Sequence, residues 1–333
     1  MSADAQPDGA RCPKCGIALA PSLLACPSCR ALVHAEELKR LAARADERQR
    51  ANDPSGALAA WRLALPLLPA GTRQQREVEA RIVELGQAVD APRDRDGKAG
   101  RWLSGATLGA SLLALLGKGK LLLLGLTKLS TLASMLAFAA VFWQLWGLKL
   151  AVGVALAIYV HEMGHVFMMR RYGVEASAPM FIPGLGAYVR GKQPIADAYQ
   201  DARVGLAGPR FGLGASLVAF AIGKLGGGNY WLALAQLSAL INLFNLLPLG
   251  PFDGERAFRA LDRRQQFSLA LALGLGWYVS HQAIVGVVAI GAVVRSLTTS
   301  LTPRPRSWLI FVEYAILAAL LLYLAALPVP AAR

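Results

Sequence analysis

The chain has 333 residues, of which 55% are hydrophobic and 17% charged, with four cysteines and a formal net charge of +14. That is too apolar for an ordinary soluble protein and too polar for a pure membrane bundle. The positive charge does not read as a nucleic-acid footprint, and no nucleic-acid partner is expected: the basic residues gather at membrane edges, as in Arg170-Arg171, Arg263-Arg264 and Arg304/Arg306, and form no stripe with interleaved aromatics.

The imbalance is regional. Residues 1–100 are rich in charge, and residues 101–333 hold nearly all the long apolar runs. The expected fold class is therefore mostly α, a polytopic helical membrane protein preceded by a small N-terminal zinc ribbon and a short soluble helical region. The expected boundaries are 1–33 for the ribbon, 34–90 for the helices, 91–101 for a polar linker and 102–333 for the membrane domain, with its core at 125–260. Residues 1–11 are polar and carry no apolar h-region, so no secretory signal is expected at this start.

All four cysteines lie within 18 residues, as Cys12-Pro-Lys-Cys15-Gly and Cys26-Pro-Ser-Cys29, a C-x2-C-x10-C-x2-C spacing. Two thiolate pairs at the ends of a short hairpin suit tetrahedral zinc, and the prolines and Gly16 favour tight knuckles that turn the sulfurs inward. Two disulfides would need an oxidising compartment, which nothing in the opening residues suggests. The pattern resembles the short zinc ribbons that begin many bacterial membrane and regulatory proteins. Four thiolates leave no open coordination position, so this zinc is expected to be structural.

Helices follow. Ala35–Gln49 carries Leu38, Leu41 and Ala42 on one stripe, Asp53-Pro54 reads as an N-cap with proline at N1, and Gly56–Leu68 places Leu58, Trp61, Leu65 and Leu68 at helical spacing. Thr72 and Gln75 form a capping-box pattern that opens a third helix through Val89. The run from Gly56 to Pro69 resembles a tetratricopeptide helix pair, and a plain helical hairpin or small bundle accounts for it equally well.

Beyond the linker, residues 102–126 are apolar but broken by Lys118 and Lys120, as in an interfacial or re-entrant segment. Spans are expected at 127–147, 148–169, 203–225, 230–249 and 308–327, and 267–294 fits either one tilted span or two short ones. His281 in its middle reads as packing or a buried hydrogen bond, His34 as solvated surface, and Trp143, Trp146 and Trp308 as interface anchors. The Lys and Arg distribution puts the N-terminal region, Arg170-Arg171 and Arg256–Arg264 on one side, by rule the cytoplasmic one of a bacterial membrane.

Two stretches of the membrane domain carry chemistry. His161-Glu162-Met163-Gly164-His165 lies inside an apolar span, where each ionisable side chain costs roughly 2.5–3.5 kcal/mol on insertion scales. Residues at i and i+4 share a helix face, so both imidazoles can reach one metal ion, and the glutamate between them can reach a water on that metal. Zinc catalysts use a third protein ligand, and the best candidate is Asp253, in Asn245-Leu-Leu-Pro-Leu-Gly-Pro-Phe-Asp253-Gly254. Two prolines and two glycines must unwind the chain there, and non-helical backbone at membrane depth is tolerated only where protein or water satisfies it.

Together the two motifs resemble the site-2 protease family of intramembrane zinc metalloproteases: H-E-x-x-H, then N-x-x-P-x-x-P-x-D-G some ninety residues later, with Gly205-Leu-Ala-Gly208-Pro209 similar to the family's small-residue segment between them. The resemblance covers about residues 125–260. It implies His161, His165 and Asp253 as ligands of a catalytic Zn2+, Glu162 as general base, and Asn245 steadying the peptide or the oxyanion. Cys12, Cys15, Cys26 and Cys29 would hold the second, structural zinc. The implied substrate is a membrane protein with a transmembrane segment, met in the lipid bilayer, and residues 1–90 are a possible docking module for a cytoplasmic protein. Two departures stand out: Glu255 where the family often has a second glycine, and Arg210 where an apolar residue is more usual. Residues 177–192 look extended, with a turn at Pro183-Gly184, and suit either an edge that takes an unwound substrate as an added strand or a re-entrant plug. A catalytically inactive scaffold acting through the ribbon, and a transporter with a metal in its path, are the other readings. The first would be favoured by loss of a motif residue, the second by acids along several spans.

Overall fold

The computed structural model describes residues 11–20, 22–90, 129–184, 186–195, 197–298 and 307–328. The expected linker at 91–101, the segment 102–126 and Arg304/Arg306 lie outside the described residues. The chain divides into two compact units: residues 1–93 with 170–175, and residues 94–169 with 176–333.

The N-terminal unit begins with two knuckles. Gly16 N–H donates to Cys12 C=O and Arg30 N–H to Cys26 C=O, both at 2.9 Å, and the residue after each second cysteine is left-handed, at φ 73° for Gly16 and 57° for Arg30. Three helices follow, α1 (Ala35–Arg50), α2 (Pro54–Ala64, continued by a 3-10 turn at Leu65–Leu67) and α3 (Arg73–Asp90). Asp53 caps α2 by accepting from Gly56 N–H at 2.9 Å, with Pro54 in the first turn, as the sequence predicts. The capping box of α3 is shifted by one residue. Thr72 Oγ1 accepts from Gln75 N–H, but the Gln75 side chain accepts from Gly71 N–H. Leu41, Ala45, Leu58, Trp61, Val78, Ile82 and Leu85 form the unit's core. Residues 170–175 complete it. Tyr172 is fully buried, its hydroxyl donates to the Asp90 carboxylate at 2.8 Å, and Arg62 Nε donates to its carbonyl at 2.8 Å.

The second unit contains α4 (Leu129–Trp146), α5 (Leu148–Arg171), the hairpin β1 (Met180–Ile182) and β2 (Gly186–Tyr188), α6 (Ala198–Ile222, running on into a π turn at Gly223–Gly227), α7 (Asn229–Asn245), α8 (Asp253–Arg259), α9 (Arg263–Ser280), α10 (Ala283–Thr298) and α11 (Trp308–Ala325). Among the described residues, four helical stretches, 129–146, 148–171, 198–227 and 308–325, are long and apolar enough to cross a membrane. The protein is an integral membrane protein.

Two sequence expectations change here, and one left open is decided. The helix expected from Arg203 starts at Ala198, because Asp197 caps it by accepting from Tyr199 and Gln200 N–H. The apolar run 267–294 is two helices, and the break is His281, in the left-handed region at φ 52°. His281 is exposed, so the packing or buried hydrogen-bond reading of that residue is wrong. The polar triplet Ser280-His281-Gln282 interrupting the apolar run is the sequence signal for this break. The extended segment is the antiparallel hairpin Met180↔Tyr188, Phe181↔Ala187, Ile182↔Gly186, turning at Pro183-Gly184.

Candidate metal centre

The site is assembled from α5, α6, α7 and the start of α8. On α5, His161, Glu162 and His165 are all buried, at 3%, 5% and 6% exposure, so these polar groups must be satisfied inside the protein. After α7 the chain unwinds from Leu246 to Phe252, and Gly250 takes a left-handed φ of 58°. Tyr314 on α11 donates its hydroxyl to the Leu246 carbonyl, satisfying one of the acceptors freed where α7 ends. The unwound stretch delivers Asp253 as the first residue of α8, where a carboxylate also suits the helix N-terminus.

The three expected ligand groups converge. His161 Nε2 lies 3.1 Å from Asp253 Oδ2, His165 Nε2 lies 3.3 Å from Asp253 Oδ1, and the two Nε2 atoms are 3.2 Å apart. Zinc bonds of about 2.0–2.2 Å at tetrahedral angles place ligand atoms about 3.3 Å apart, and these separations, measured to the two oxygens of Asp253, are of that size. Three protein ligands leave a fourth position, as catalytic rather than structural sites do.

The far nitrogens are held as well. His165 Nδ1 lies 2.8 Å from the Val204 carbonyl on α6, a bond in which only the imidazole can donate. His161 Nδ1 lies 2.7 Å from Asn242 Oδ1, and Asn242 Nδ2 donates to the Ser238 carbonyl at 2.8 Å, which turns the amide oxygen toward the imidazole. Both rings then carry the proton on Nδ1 and present the Nε2 lone pair to the shared point. Sequence reasoning misses Asn242. Its only signal is a polar residue one helical turn before Asn245 and one after Ser238 in a mostly apolar span. Asn245 itself is half-buried at the end of α7.

The glycines of α6 explain how helices approach this closely. A Cβ on Gly208 would stand 2.3 Å from His165 Nε2 and 2.6 Å from His161 Nε2, and one on Gly212 would collide with Asn242 Oδ1. On α5, a Cβ at Gly164 would meet the Ala207 carbonyl at 2.3 Å. Glycine at 208 therefore keeps open the space beside the two nitrogens. Arg210, the departure two residues on, pairs with Glu313 on α11 together with Arg203, so the charge is compensated within the helical body.

The four cysteines form the second group. Cys12 and Cys29 sulfurs are 3.6 Å apart, as are those of Cys15 and Cys26, close to the about 3.8 Å edge of a tetrahedron with zinc–sulfur bonds of about 2.3 Å. Backbone N–H groups of Cys15 and Lys14 aimed at the Cys12 sulfur bring its thiol down to about 6, and the N–H of Cys29 lowers Cys26 in the same way. These two shifts favour thiolates, the form that binds metal, while Cys15 is pushed the other way, up to about 12, by burial and by the neighbouring Cys26, Cys29 and Cys12 sulfurs.

Comparison with known proteins adds an independent line. Residues 149–228, which hold the H-E-x-x-H motif and all of α6, match the family model described as Peptidase family M50. A zinc metalloprotease of Methanocaldococcus jannaschii is 30% identical over 134 residues, 37% of this chain and 35% of that protein. A putative zinc metalloprotease, Rip3, of Mycobacterium tuberculosis is 34% identical over 148 residues, 41% of this chain and 36% of that protein. A probable chloroplastic zinc metalloprotease, EGY2, of Arabidopsis thaliana is 34% identical over 82 residues, 23% of this chain and 15% of that protein. The matched stretches thus span about a third or less of these relatives' own lengths. No solved structure matches the chain. The site-2 protease resemblance read from the two motifs agrees with the M50 match and with the relatives' names.

Proposed function

We propose that the protein is an intramembrane zinc metalloendopeptidase of the site-2 type, hydrolysing peptide bonds in or next to the transmembrane segments of membrane proteins. The single observation that carries this reading is the convergence of the His161, His165 and Asp253 ligand atoms, 3.1–3.3 Å apart, beside buried Glu162. In this reading His161, His165 and Asp253 hold the catalytic zinc, while Asn242 and the Val204 carbonyl fix the imidazoles. A zinc ion held there would lower the pKa of a bound water to about 7 and polarise the scissile carbonyl. Glu162 takes the proton from the attacking water and hands it to the leaving amine. Asn245, at the end of α7, steadies the peptide carbonyl as charge develops on its oxygen.

A transmembrane substrate must first lose its own helical hydrogen bonds. The edge of the β1–β2 hairpin is suited to take the unwound segment as an added strand. The ribbon is a structural zinc site, and residues 1–90 form a docking module for a cytoplasmic protein at a bacterial cytoplasmic membrane. No motif residue is lost, so the inactive-scaffold reading has nothing to favour it.

The test is cleavage of a panel of transmembrane reporters in proteoliposomes, by wild type and Glu162→Gln, with zinc counted in both. Cleavage by wild type, and its loss in a variant that keeps two zinc ions per chain, supports the reading. Failure of wild type to hold zinc outside the ribbon overturns it.

A further inference from the structure

Helix α8 has seven residues, and isolated helices shorter than about 12–15 residues are marginal in water, so its placement depends on what it touches. That placement sets where Asp253, its first residue, points. Its apolar face is buried through Ala257 and Phe258. Apolar contact is not directional and tolerates small rotations and slides.

Direction comes from ion pairs on two sides. Arg256 donates from Nε and Nη2 to Asp201 Oδ1 at 2.9 and 2.6 Å, and Arg259 Nη2 approaches Asp201 Oδ2 at 3.3 Å. On the other side Glu255 Oε2 and Arg295 Nε lie 2.9 Å apart as an ion pair. Asp201 is on α6 and Arg295 on α10, so the short helix is tied to two long ones. The Asp201, Glu255 and Arg295 side chains are only 17%, 18% and 20% exposed, which reduces screening by salt and water.

The tie to α6 has a particular geometry. Asp201, Val204, Gly205 and Gly208 share one face of that helix at helical spacing. Val204 orients His165, a Cβ on Gly205 would stand 2.9 Å from the Asp253 carbonyl, and Gly208 borders both Nε2 atoms. Asp201 thus references the third ligand to the same helix that references the second. Glu255 stands where the resembled family often has a second glycine, and a glycine could make no such pair.

We propose that Asp201, with Arg256, and Glu255, with Arg295, are positioning residues that hold Asp253 in register with the two histidines and thereby set the metal affinity of the membrane site. This inference rests on the reading of that site as a metal centre.

The experiment is cobalt substitution of the purified full-length protein in nanodiscs, titrated against a chelator. Thiolate-to-cobalt charge-transfer bands report the ribbon, and weak d–d bands alone report the histidine–carboxylate site. For Asp201→Asn and, independently, Glu255→Gln, the expected result is a 10–100-fold weaker membrane site with an unchanged ribbon. Asp201→Glu, and the swap of Asp201→Arg with Arg256→Asp, should recover part of the loss. Glu313→Gln, which breaks the Arg203 and Arg210 pairs but touches no residue of α8, should lower the melting temperature without moving the affinity. Wild-type affinity in both Asp201→Asn and Glu255→Gln would overturn the proposal and leave the pairs as ordinary stabilising contacts. If wild type takes up cobalt only at the ribbon, the metal-centre reading fails and this inference fails with it.

Discussion

The two ligand clusters of this chain are built by opposite strategies. The ribbon draws four thiols from 18 consecutive residues, and local backbone turns alone set their geometry. The membrane cluster draws two imidazoles from one helix and a carboxylate some ninety residues away, and needs four helices to bring them together. The first offers four sulfurs; the second offers three candidate donor groups and sets a buried glutamate beside them. The contrast teaches that a short-range site is specified by turn chemistry, whereas a long-range one is specified by whatever lets the helices approach, here Gly164, Gly208 and Gly212.

The sharpest way to break the comparison is Glu162→Gln. A positioned general base contributes about 10²–10⁴ in rate, so cleavage of a transmembrane reporter should fall by that factor while both metals stay bound. Loss of the metal together with activity would show that Glu162 is needed to build the site. Next in size are the ligand variants, read by zinc count. Asp253→Ala should empty or greatly weaken the membrane site and spare the ribbon, and Cys12→Ser should do the reverse. A variant that emptied both sites would mean the two are not independent.

Both clusters are legible in the sequence. The two membrane motifs point to His161, Glu162, His165 and Asp253, the cysteine spacing points to four thiols, and the fold brings the two imidazoles to the carboxylate and the four sulfurs to one another. Hidden from the sequence is whatever depends on partners distant along the chain. Asn242 reads as one more residue of an apolar span, because nothing local says that its amide faces His161. Asp201 carries no signal in the sequence and Glu255 reads only as a departure from the resembled family, and only the fold brings Arg256 to the first and Arg295 to the second. His281 misleads for the converse reason: a lone histidine in an apolar run suggests burial, while its neighbours Ser280 and Gln282 mark a break between helices.

Asn242→Ala tests that hidden layer. It removes the acceptor that fixes the His161 tautomer and leaves the imidazole in place. Changes of this kind typically cost 10–100-fold in metal affinity, and the membrane site should weaken by that much in a chelator titration. A restored affinity in Asn242→Asp, which keeps an acceptor oxygen, would assign the effect to the hydrogen bond. If Asn242→Ala binds as tightly as wild type, the imidazole is oriented by packing alone.

The smallest expected effect is a gain, and it comes from the ribbon. Its two knuckles are built alike: the residue after each second cysteine donates its N–H to the carbonyl of the first at 2.9 Å and takes a left-handed conformation. One of these residues is Gly16, for which that conformation carries no steric cost; the other is Arg30, whose Cβ makes it unfavourable by about 1–2 kcal/mol. Arg30 is exposed, so its side chain is not needed for packing. Arg30→Gly relieves the strain, and part of the gain is offset by the greater freedom of glycine in the unfolded chain. A net of about 1 kcal/mol is close to fivefold in the ribbon's zinc affinity, measurable as a shift in the chelator concentration that strips the ribbon. The membrane site should not move, because nothing in its geometry depends on the turn at residue 30. A ribbon weakened by the glycine would mean that the arginine side chain contributes more than its backbone costs, and that the two knuckles, alike in backbone, are not alike in what holds them.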